Sequence, residues 1–257
     1  FETHSLLVFR DQPIADDIQV AFSRAFGPLE LTKVASLGAN SFYSRLTNVG
    51  QKGEILPQTD RQVLVAKANA LWHTDSSFKK TPALASVLTA RVLPGEDGDI
   101  EFTSTRLAWE RLPSDLQARL QNAVATHSYA NSRDQIHPDL ANAEERKALP
   151  PVRWRLNWRN PTNDRRALYV ASHAYAIDGM DDRDARQMLA QLLDEATRRE
   201  FVYTHKWRTG DAVMWDNRAM LHRGRPWDYN KERSMVRTTI SATLADGLDE
   251  VKPPVLH

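Results

Sequence analysis

The segment that most constrains the fold lies in the last third of the chain and reads GDAVMWDNRAMLHRGRPWD, from Gly210 to Asp228. Two short apolar runs flank Asp216-Asn217, a dipeptide typical of a tight turn. Short apolar runs bounded by turn residues predict β-strands rather than helices. The segment therefore predicts two strands joined by a tight turn, with His222 on the second strand.

The same strand pattern occurs on both sides of a helical middle section. Further strands are predicted in SLLVF, SFYSRL, QVLVAKANALW, ALASVLTARVL, FVYTHKW and RSMVRTTI. Strands on both sides of inserted helices are typical of a β-sandwich or barrel and not of regular βαβ repeats. We expect a mostly β fold with flanking helices, in one domain that spans residues 1–257.

Four segments predict helices. The segment IADDIQVAFSRAFG places Ile18, Ala21, Phe22, Ala25 and Phe26 on one face, which predicts an amphipathic helix that buries that face. Short helices are expected at 104–112 and 114–124, the second capped by Ser114. The segment DDRDARQMLAQLLDEATRR predicts the longest helix, with acids at its start and arginines at its end. Residues 131–152 have weak periodicity and predict a mobile surface loop with some helix.

Composition limits the partners and the metal chemistry. The chain has 34 basic and 33 acidic residues, so its overall charge does not favour nucleic acid or an anionic membrane. It has no apolar window long enough to cross a bilayer and no secretory signal pattern, and we expect a soluble, cytoplasmic protein. Because it has no cysteine, any metal must be held by His, Asp or Glu.

The stretch LWHTDSSF, residues 71–78, contains the candidate metal ligands His73 and Asp75. Side chains at i and i+2 of a strand point to the same face, so both could reach one ion. The spacing alone is weak, since His137 and Asp139 have it too, and a structural histidine is the alternative. With His222, however, two imidazoles and one carboxylate form the set that non-haem Fe(II) oxygenases use. Iron is favoured over zinc, because the chain lacks a His-Glu-x-x-His motif and a third clustered histidine.

Two arginines follow His222 at a spacing that places them on one side of a strand. Arg233 and Arg237 are four residues apart, and each guanidinium can bind a carboxylate through two parallel hydrogen bonds. The alternative is that they lie on a solvated face or pair with nearby acids such as Glu232 or Asp228.

Together these stretches resemble the Fe(II)- and 2-oxoglutarate-dependent dioxygenases, the family that contains taurine dioxygenase and the aryloxyalkanoate dioxygenases. The likeness extends through NALWHTDSSF, ARVLPGEDGDIEF, RRALYVASHAYAI and FVYTHKWRTGDAVMWDNRAMLHRGRPWD. It implies a double-stranded β-helix, a cupin-like jelly roll, in which His73, Asp75 and His222 bind iron. It also implies that the chain begins well inside its relatives, so that an N-terminal part is missing.

The resemblance also assigns roles to four other residues. Arg233 matches the arginine that binds the far carboxylate of 2-oxoglutarate, and Arg237 matches the one that meets the anionic group of the primary substrate. Asn69 matches a position that lines the site. Ile100 stands where relatives have a threonine that hydrogen-bonds 2-oxoglutarate, so that contact is lost here.

The implied activity is hydroxylation of a small anionic substrate, an aryloxyalkanoate-type carboxylic acid, with Fe(II), 2-oxoglutarate and O2 consumed in a reaction that releases succinate and CO2. Alternatives are an alkylsulfonate or sulfate-ester dioxygenase of the taurine type and a non-catalytic barrel that binds a small acid. The expected partners are the small substrate and further copies of the chain in a homo-oligomer.

Overall fold

The computed structural model of the protein describes residues 1–13, 15–32 and 41–253. The strands are β1 (Leu6–Phe9), β2 (Ser44–Thr47), β3 (Ala83–Val92), β4 (Ile100–Ser104), β5 (Val124–His127), β6 (Val152–Arg155), β7 (Asn157–Arg159), β8 (Arg166–Leu168), β9 (Ala174–Ile177), β10 (Tyr203–His205), β11 (Ala212–Asp216), β12 (Met220–Gly224) and β13 (Ser234–Ser241). The helices are α1 (Asp16–Arg24), α2 (Arg61–Ala68), α3 (Thr105–Arg111), α4 (Ser114–Leu120), α5 (Tyr129–Asp134), α6 (Ala143–Ala148), α7 (Asp182–Ala196) and α8 (Leu248–Val251). No helix in these ranges is long and apolar enough to cross a membrane.

Two antiparallel sheets carry the site. The larger sheet has the strand order β1-β11-β3-β13-β2, and the smaller one has the order β10-β4-β12. A hydrophobic core lies between them, with Phe102 of β4 and Met220 of β12 packed against Leu88, Trp215 and Met235 of the larger sheet. The predicted turn at Asp216-Asn217 thus leads from β11 in one sheet to β12 in the other. The mostly β class with flanking helices is confirmed.

Helix α1 forms where it was predicted but buries a different face. Gln19 is 5% exposed and Ser23 is fully buried, whereas Ile18 is 48% exposed and Phe22 and Phe26 are each 37% exposed. The Gln19 amide donates two 3.0 Å hydrogen bonds to the carbonyls of Val87 and Val236. Polar anchoring to the sheet therefore decides the orientation of α1, and the predicted apolar contact face is wrong.

The strand predicted in QVLVAKANALW is also wrong, because its first part forms helix α2. The Asp60 carboxylate accepts a 2.7 Å hydrogen bond from the Gln62 N–H and caps the helix. Helix α2 ends at Asn69, and His73 follows in an isolated bridge. Asp60 is a typical N-cap residue and indicates a helix, but the pattern of apolar residues that follows it favoured a strand.

The remaining helix predictions differ from the structure in detail. Ser114 begins α4 but does not cap it, because Pro113 occupies the N-cap position. The segment 131–152 contains most of α5 and all of α6, and α6 begins with a capping box between Asn142 and Glu145. Its expected mobility stays a prediction. Helix α7 buries its predicted stripe, but its last turn has no basic residue.

Candidate active site

The two histidines predicted as metal ligands are adjacent and joined through the main chain. The N–H of His73 donates to the carbonyl of His222 at 3.0 Å, and the reciprocal bond is 2.9 Å long. Their ring centroids are 4.1 Å apart. Each side chain is more than nine-tenths buried. Backbone pairing between β12 and the segment after α2 therefore fixes both imidazoles side by side.

Asp75 lies in a turn and not in a strand, and its side chain reaches the two imidazoles from there. The expectation that His73 and Asp75 share one face of a strand is therefore wrong. Its main-chain N–H donates to Asn217 Oδ1 at 3.1 Å, and Thr74 Oγ1 donates to the Asn217 carbonyl at 2.6 Å. The Asp75 carboxylate accepts hydrogen bonds from Ser86 Oγ at 2.7 Å and from Arg237 Nη1 at 2.6 Å. Asn217, in the turn between β11 and β12, thus holds the turn that carries Asp75.

Among the described residues, His73, Asp75 and His222 form a set of three buried donors whose ligand atoms all lie within 4.8 Å of one another. His222 Nε2 lies 3.7 Å from Asp75 Oδ2. The structure therefore brings the three predicted ligands together, although the sequence separates His222 widely from the other two.

The protonation states suit metal binding. Burial lowers the pKa of His73 and lowers that of His222 further, so both rings are neutral near pH 7. Burial opposes ionisation of Asp75, but Arg237, His222 and His73 together hold its pKa below the usual value. His73 Nδ1 donates to the Leu71 carbonyl at 2.7 Å, which leaves its Nε2 lone pair available. Two neutral imidazoles and one carboxylate, without thiolates, fit a ferrous ion.

A small cavity of about 60 Å³, the inner pocket, extends from the histidines to Arg233. Arg233 Nη2 donates to the Gly98 carbonyl at 3.1 Å, while its buried Nε has no hydrogen-bond partner in the structure. No described carboxylate forms a salt bridge with this side chain, and burial lowers its pKa to about 10. A buried guanidinium with a free donor fits a carboxylate ligand.

Gly98 allows this arrangement. Its φ is +71°, and a Cβ atom at this position would lie 3.1 Å from Arg233 Nε. A side chain here would strain the backbone and crowd the guanidinium. No pattern in the sequence indicates that the glycine next to Asp99 makes room for Arg233.

The other predicted site residues also line the inner pocket. Ile100 is buried in its wall, and Asn69 and Arg237 lie where it meets a larger cavity. Arg233 and Arg237 therefore face the same cavity, as their spacing predicted. The solvated-face alternative is not what the structure has, although Arg237 does pair with an acid, Asp75.

A second cavity of about 600 Å³, the outer pocket, opens beyond the metal ligands. Phe78, Tyr129 and His173 form part of its wall, with 5.1 Å between the rings of the first two and 4.8 Å between those of Phe78 and His173. Arg133 of α5 lies beside them. The sequence did not indicate this wall, because its residues come from three separate segments that share no motif.

His173 also has a structural role. Its Nδ1 lies 3.2 Å from Ser77 Oγ, which in turn lies 3.1 Å from Nδ1 of the buried His127. The hydroxyl thus links a pocket-facing imidazole to one inside the fold. His127 is thus a fully buried structural residue that is hydrogen-bonded through Nδ1.

A family model described as "Taurine catabolism dioxygenase TauD, TfdA family" matches residues 1–239. The chain is 42% identical over 240 residues to an alpha-ketoglutarate-dependent 2,4-dichlorophenoxyacetate dioxygenase of Cupriavidus pinatubonensis, with 91% of this chain and 84% of that protein covered. It is 34% identical over 246 residues to an (S)-phenoxypropionate/alpha-ketoglutarate-dioxygenase of Sphingobium herbicidovorans, with 93% and 82% covered.

The fold is similar to that of a solved structure described as AAD-2 in complex with Mn(II) and N-oxalylglycine. The TM-score is 0.87 at 37% sequence identity, over 94% of this chain and 85% of that one. The range of the family match, residues 1–239, includes all three metal-ligand candidates.

Proposed function

The chain belongs to the taurine catabolism dioxygenase TauD, TfdA family, and we propose on this basis that it hydroxylates an aryloxyalkanoate-type carboxylic acid. Fe(II), 2-oxoglutarate and O2 take part, and succinate and CO2 are released. The observation that supports this most is the buried set of His73, Asp75 and His222 next to an inner pocket that ends at Arg233. A hydroxylated aryloxyalkanoate is a hemiacetal, which collapses to a phenol and a 2-oxo acid.

In this proposal His73, Asp75 and His222 hold the iron, and the bound iron supplies the activation of O2. The protein provides position and charge. Arg233 receives the far carboxylate of 2-oxoglutarate, and its free Nε donor and its burial support that role. Ile100 contributes an apolar wall where a threonine would add one hydrogen bond, a difference of ~1 kcal/mol in binding free energy.

Arg237 and Asn69 are proposed to contact the primary substrate. Both line the junction of the two pockets, where a substrate carbon in the outer pocket would come nearest to the metal ligands. The aromatic wall of Phe78 and Tyr129 suits an aryl ring, because ring pairs add a geometric preference to apolar burial.

The architecture and assembly complete the proposal. We propose that the two facing sheets form a double-stranded β-helix within one domain of residues 1–257, with a mobile segment at 131–152. We also propose a homo-oligomer in the cytoplasm. The exposed Ile18 and Phe22 of α1, with Phe26 just after it, support self-association, since a monomer rarely exposes adjacent large apolar side chains. Light scattering of the wild type and of Phe22→Glu tests this, and a monomeric wild type would contradict it.

The activity is tested by O2 uptake with Fe(II), 2-oxoglutarate and a panel of phenoxyalkanoates, alkylsulfonates and sulfate esters. We expect phenol release from a phenoxyalkanoate with stoichiometric succinate. Asp75→Ala is expected to lose turnover while its far-UV circular dichroism is retained. Turnover of only the sulfur oxyanions would favour the taurine-type alternative, and acid binding without O2 uptake would favour the non-catalytic one.

A further inference from the structure

We propose that Arg133, on helix α5, is a specificity-determining contact that supplies the uncompensated positive charge for the anionic group of the primary substrate. The inference rests on the proposed function, because it assigns a residue to the substrate of that same site. It concerns a side chain to which the family motifs give no role. Four observations support it: its position, its pairing, its donors and the shape of the wall beside it.

Arg133 faces the metal ligands across the outer pocket. It lines this cavity together with His73, Asp75 and Arg237. A carboxylate in the outer pocket therefore lies within reach of its field.

Salt bridges distinguish Arg133 from the other cations of the pocket. Among the described residues that line the outer pocket, Arg45, Arg61, Lys79 and Arg237 each form a salt bridge with a carboxylate. No salt bridge of Arg133 occurs in the described part of the chain. The charge of Arg237 in particular is shared with Asp75, at 2.6 Å. An incoming anion consequently meets a full positive charge at Arg133 and a largely neutralised one at Arg237.

The guanidinium of Arg133 is held in place, but not all of its hydrogen-bond donors have an acceptor. Its guanidinium lies over the Tyr129 ring at 4.6 Å, and Nη1 donates to Ser132 Oγ at 3.1 Å. Its Nε is buried and has no hydrogen-bond partner. A guanidinium that is fixed by an aromatic face, with an unused donor, is preorganised for a carboxylate and loses little entropy on binding.

The aromatic wall next to Arg133 fits the rest of such a ligand. Tyr129, which lies under the guanidinium, also contacts Phe78, and Phe78 contacts His173. One side of the outer pocket thus offers a cation beside adjacent rings. This combination favours a small aryl acid over an aliphatic acid or a neutral aryl compound.

The test compares an acid with its neutral isostere. Binding of phenoxyacetate and of phenoxyacetamide is measured by calorimetry, both with metal-free protein and with protein loaded anaerobically with Fe(II) and 2-oxoglutarate. Arg133→Gln is expected to weaken phenoxyacetate by about tenfold or more, the size of one charge-assisted hydrogen bond, and phenoxyacetamide by no more than about twofold. Arg133→Lys is expected to recover part of the loss.

Arg146→Gln is the matched control, because Arg146 lies on the neighbouring α6, pairs with Asp134 at 2.7 Å and is outside the outer pocket. It should bind both ligands as the wild type does. Equal affinity of wild type and Arg133→Gln for phenoxyacetate, or equal losses for acid and amide, would overturn the inference. Since binding is measured without turnover, a wild type that binds the acid but releases no succinate would refute the proposed function and leave this result readable.

Discussion

At the scale of single residues, Arg233 has the surroundings that most directly imply a ligand. It is 8% exposed, has no salt bridge within the described ranges, and keeps a buried Nε–H without an acceptor. Leaving one member of a buried arginine and carboxylate pair without the other costs about 3 to 5 kcal/mol. In the proposed function, the far carboxylate of 2-oxoglutarate is the partner of Arg233.

We therefore expect Arg233→Ala to raise the KM for 2-oxoglutarate by about a hundredfold or more, since each 1.4 kcal/mol is tenfold in affinity. The apparent affinity for the primary substrate should change much less. Arg165→Ala, which removes an exposed arginine paired with Glu110, provides the control. A change confined to the primary substrate would contradict the role given to Arg233.

The residues of the site differ in how far the sequence could identify them. His73, Asp75 and His222 were predicted from donor type and spacing, and Arg233 and Arg237 from the resemblance. Asn217 and Gly98 were not, because they act through a backbone hydrogen bond and through the lack of a side chain. Neither signal has a pattern in the sequence.

At the scale of secondary-structure elements, α1 shows why an apolar stripe did not predict the buried face. The strand carbonyls beneath α1 need donors, and Gln19 supplies them. An unsatisfied buried acceptor costs more than partial exposure of an isoleucine or a phenylalanine. Periodicity does indicate that a helix forms, but it cannot show which acceptors the helix will meet.

Gln19→Ala is accordingly expected to lower the free energy of unfolding by about 1 to 3 kcal/mol, because it removes donors from two buried carbonyls. Ile18→Ala, one residue away and half exposed, should change it by less than about 0.5 kcal/mol. Urea denaturation of the two variants measures the difference. A larger loss for the isoleucine variant would show that α1 packs through its apolar stripe instead.

Strand β5 carries a histidine that makes stability depend on pH. Burial lowers the pKa of His127 to about 3 from an ordinary value of 6.5. The unfolded chain therefore binds a proton between these values that the folded chain does not. The resulting stabilisation is complete above pH 6.5 and is lost as the pH falls from 6.5 towards 3, at up to ~1.4 kcal/mol per pH unit.

We expect His127→Gln to reduce the slope of unfolding free energy against pH in this window by up to ~1.4 kcal/mol per pH unit, which corresponds to the uptake of one proton. His137→Gln is the control, because His137 is exposed. Urea titrations between pH 4 and pH 7 measure both slopes. Identical slopes for wild type and His127→Gln would show that this imidazole is accessible to protons in the folded state.

At the scale of the whole molecule, the metal ligands connect parts of the chain that lie far apart. His73 and Asp75 follow α2, whereas His222 lies on β12 in the smaller sheet. An ion held by all three stabilises the folded state over the unfolded one by mass action, by about 2.7 kcal/mol at a hundred times the dissociation constant.

Addition of Mn(II) or Co(II) under air, where Fe(II) would oxidise, is therefore expected to raise the melting temperature of the wild type. The same addition should leave the melting temperature of Asp75→Ala unchanged. The melting temperature of each protein without metal is the reference. An equal shift in both proteins would place the metal elsewhere.

The reciprocal main-chain bonds between His73 and His222 hold the two nitrogen donors of the centre more firmly than its carboxylate donor. The main chain of neither histidine can shift without stretching this pair of bonds, so the spacing of the two points that carry the imidazoles is fixed. Asp75 has the only carboxylate of the three, and side-chain hydrogen bonds from Ser86 and Arg237, rather than a main-chain pair with another ligand, hold it. Exchange of one divalent metal for another should therefore be accommodated at the carboxylate and leave the imidazoles in place.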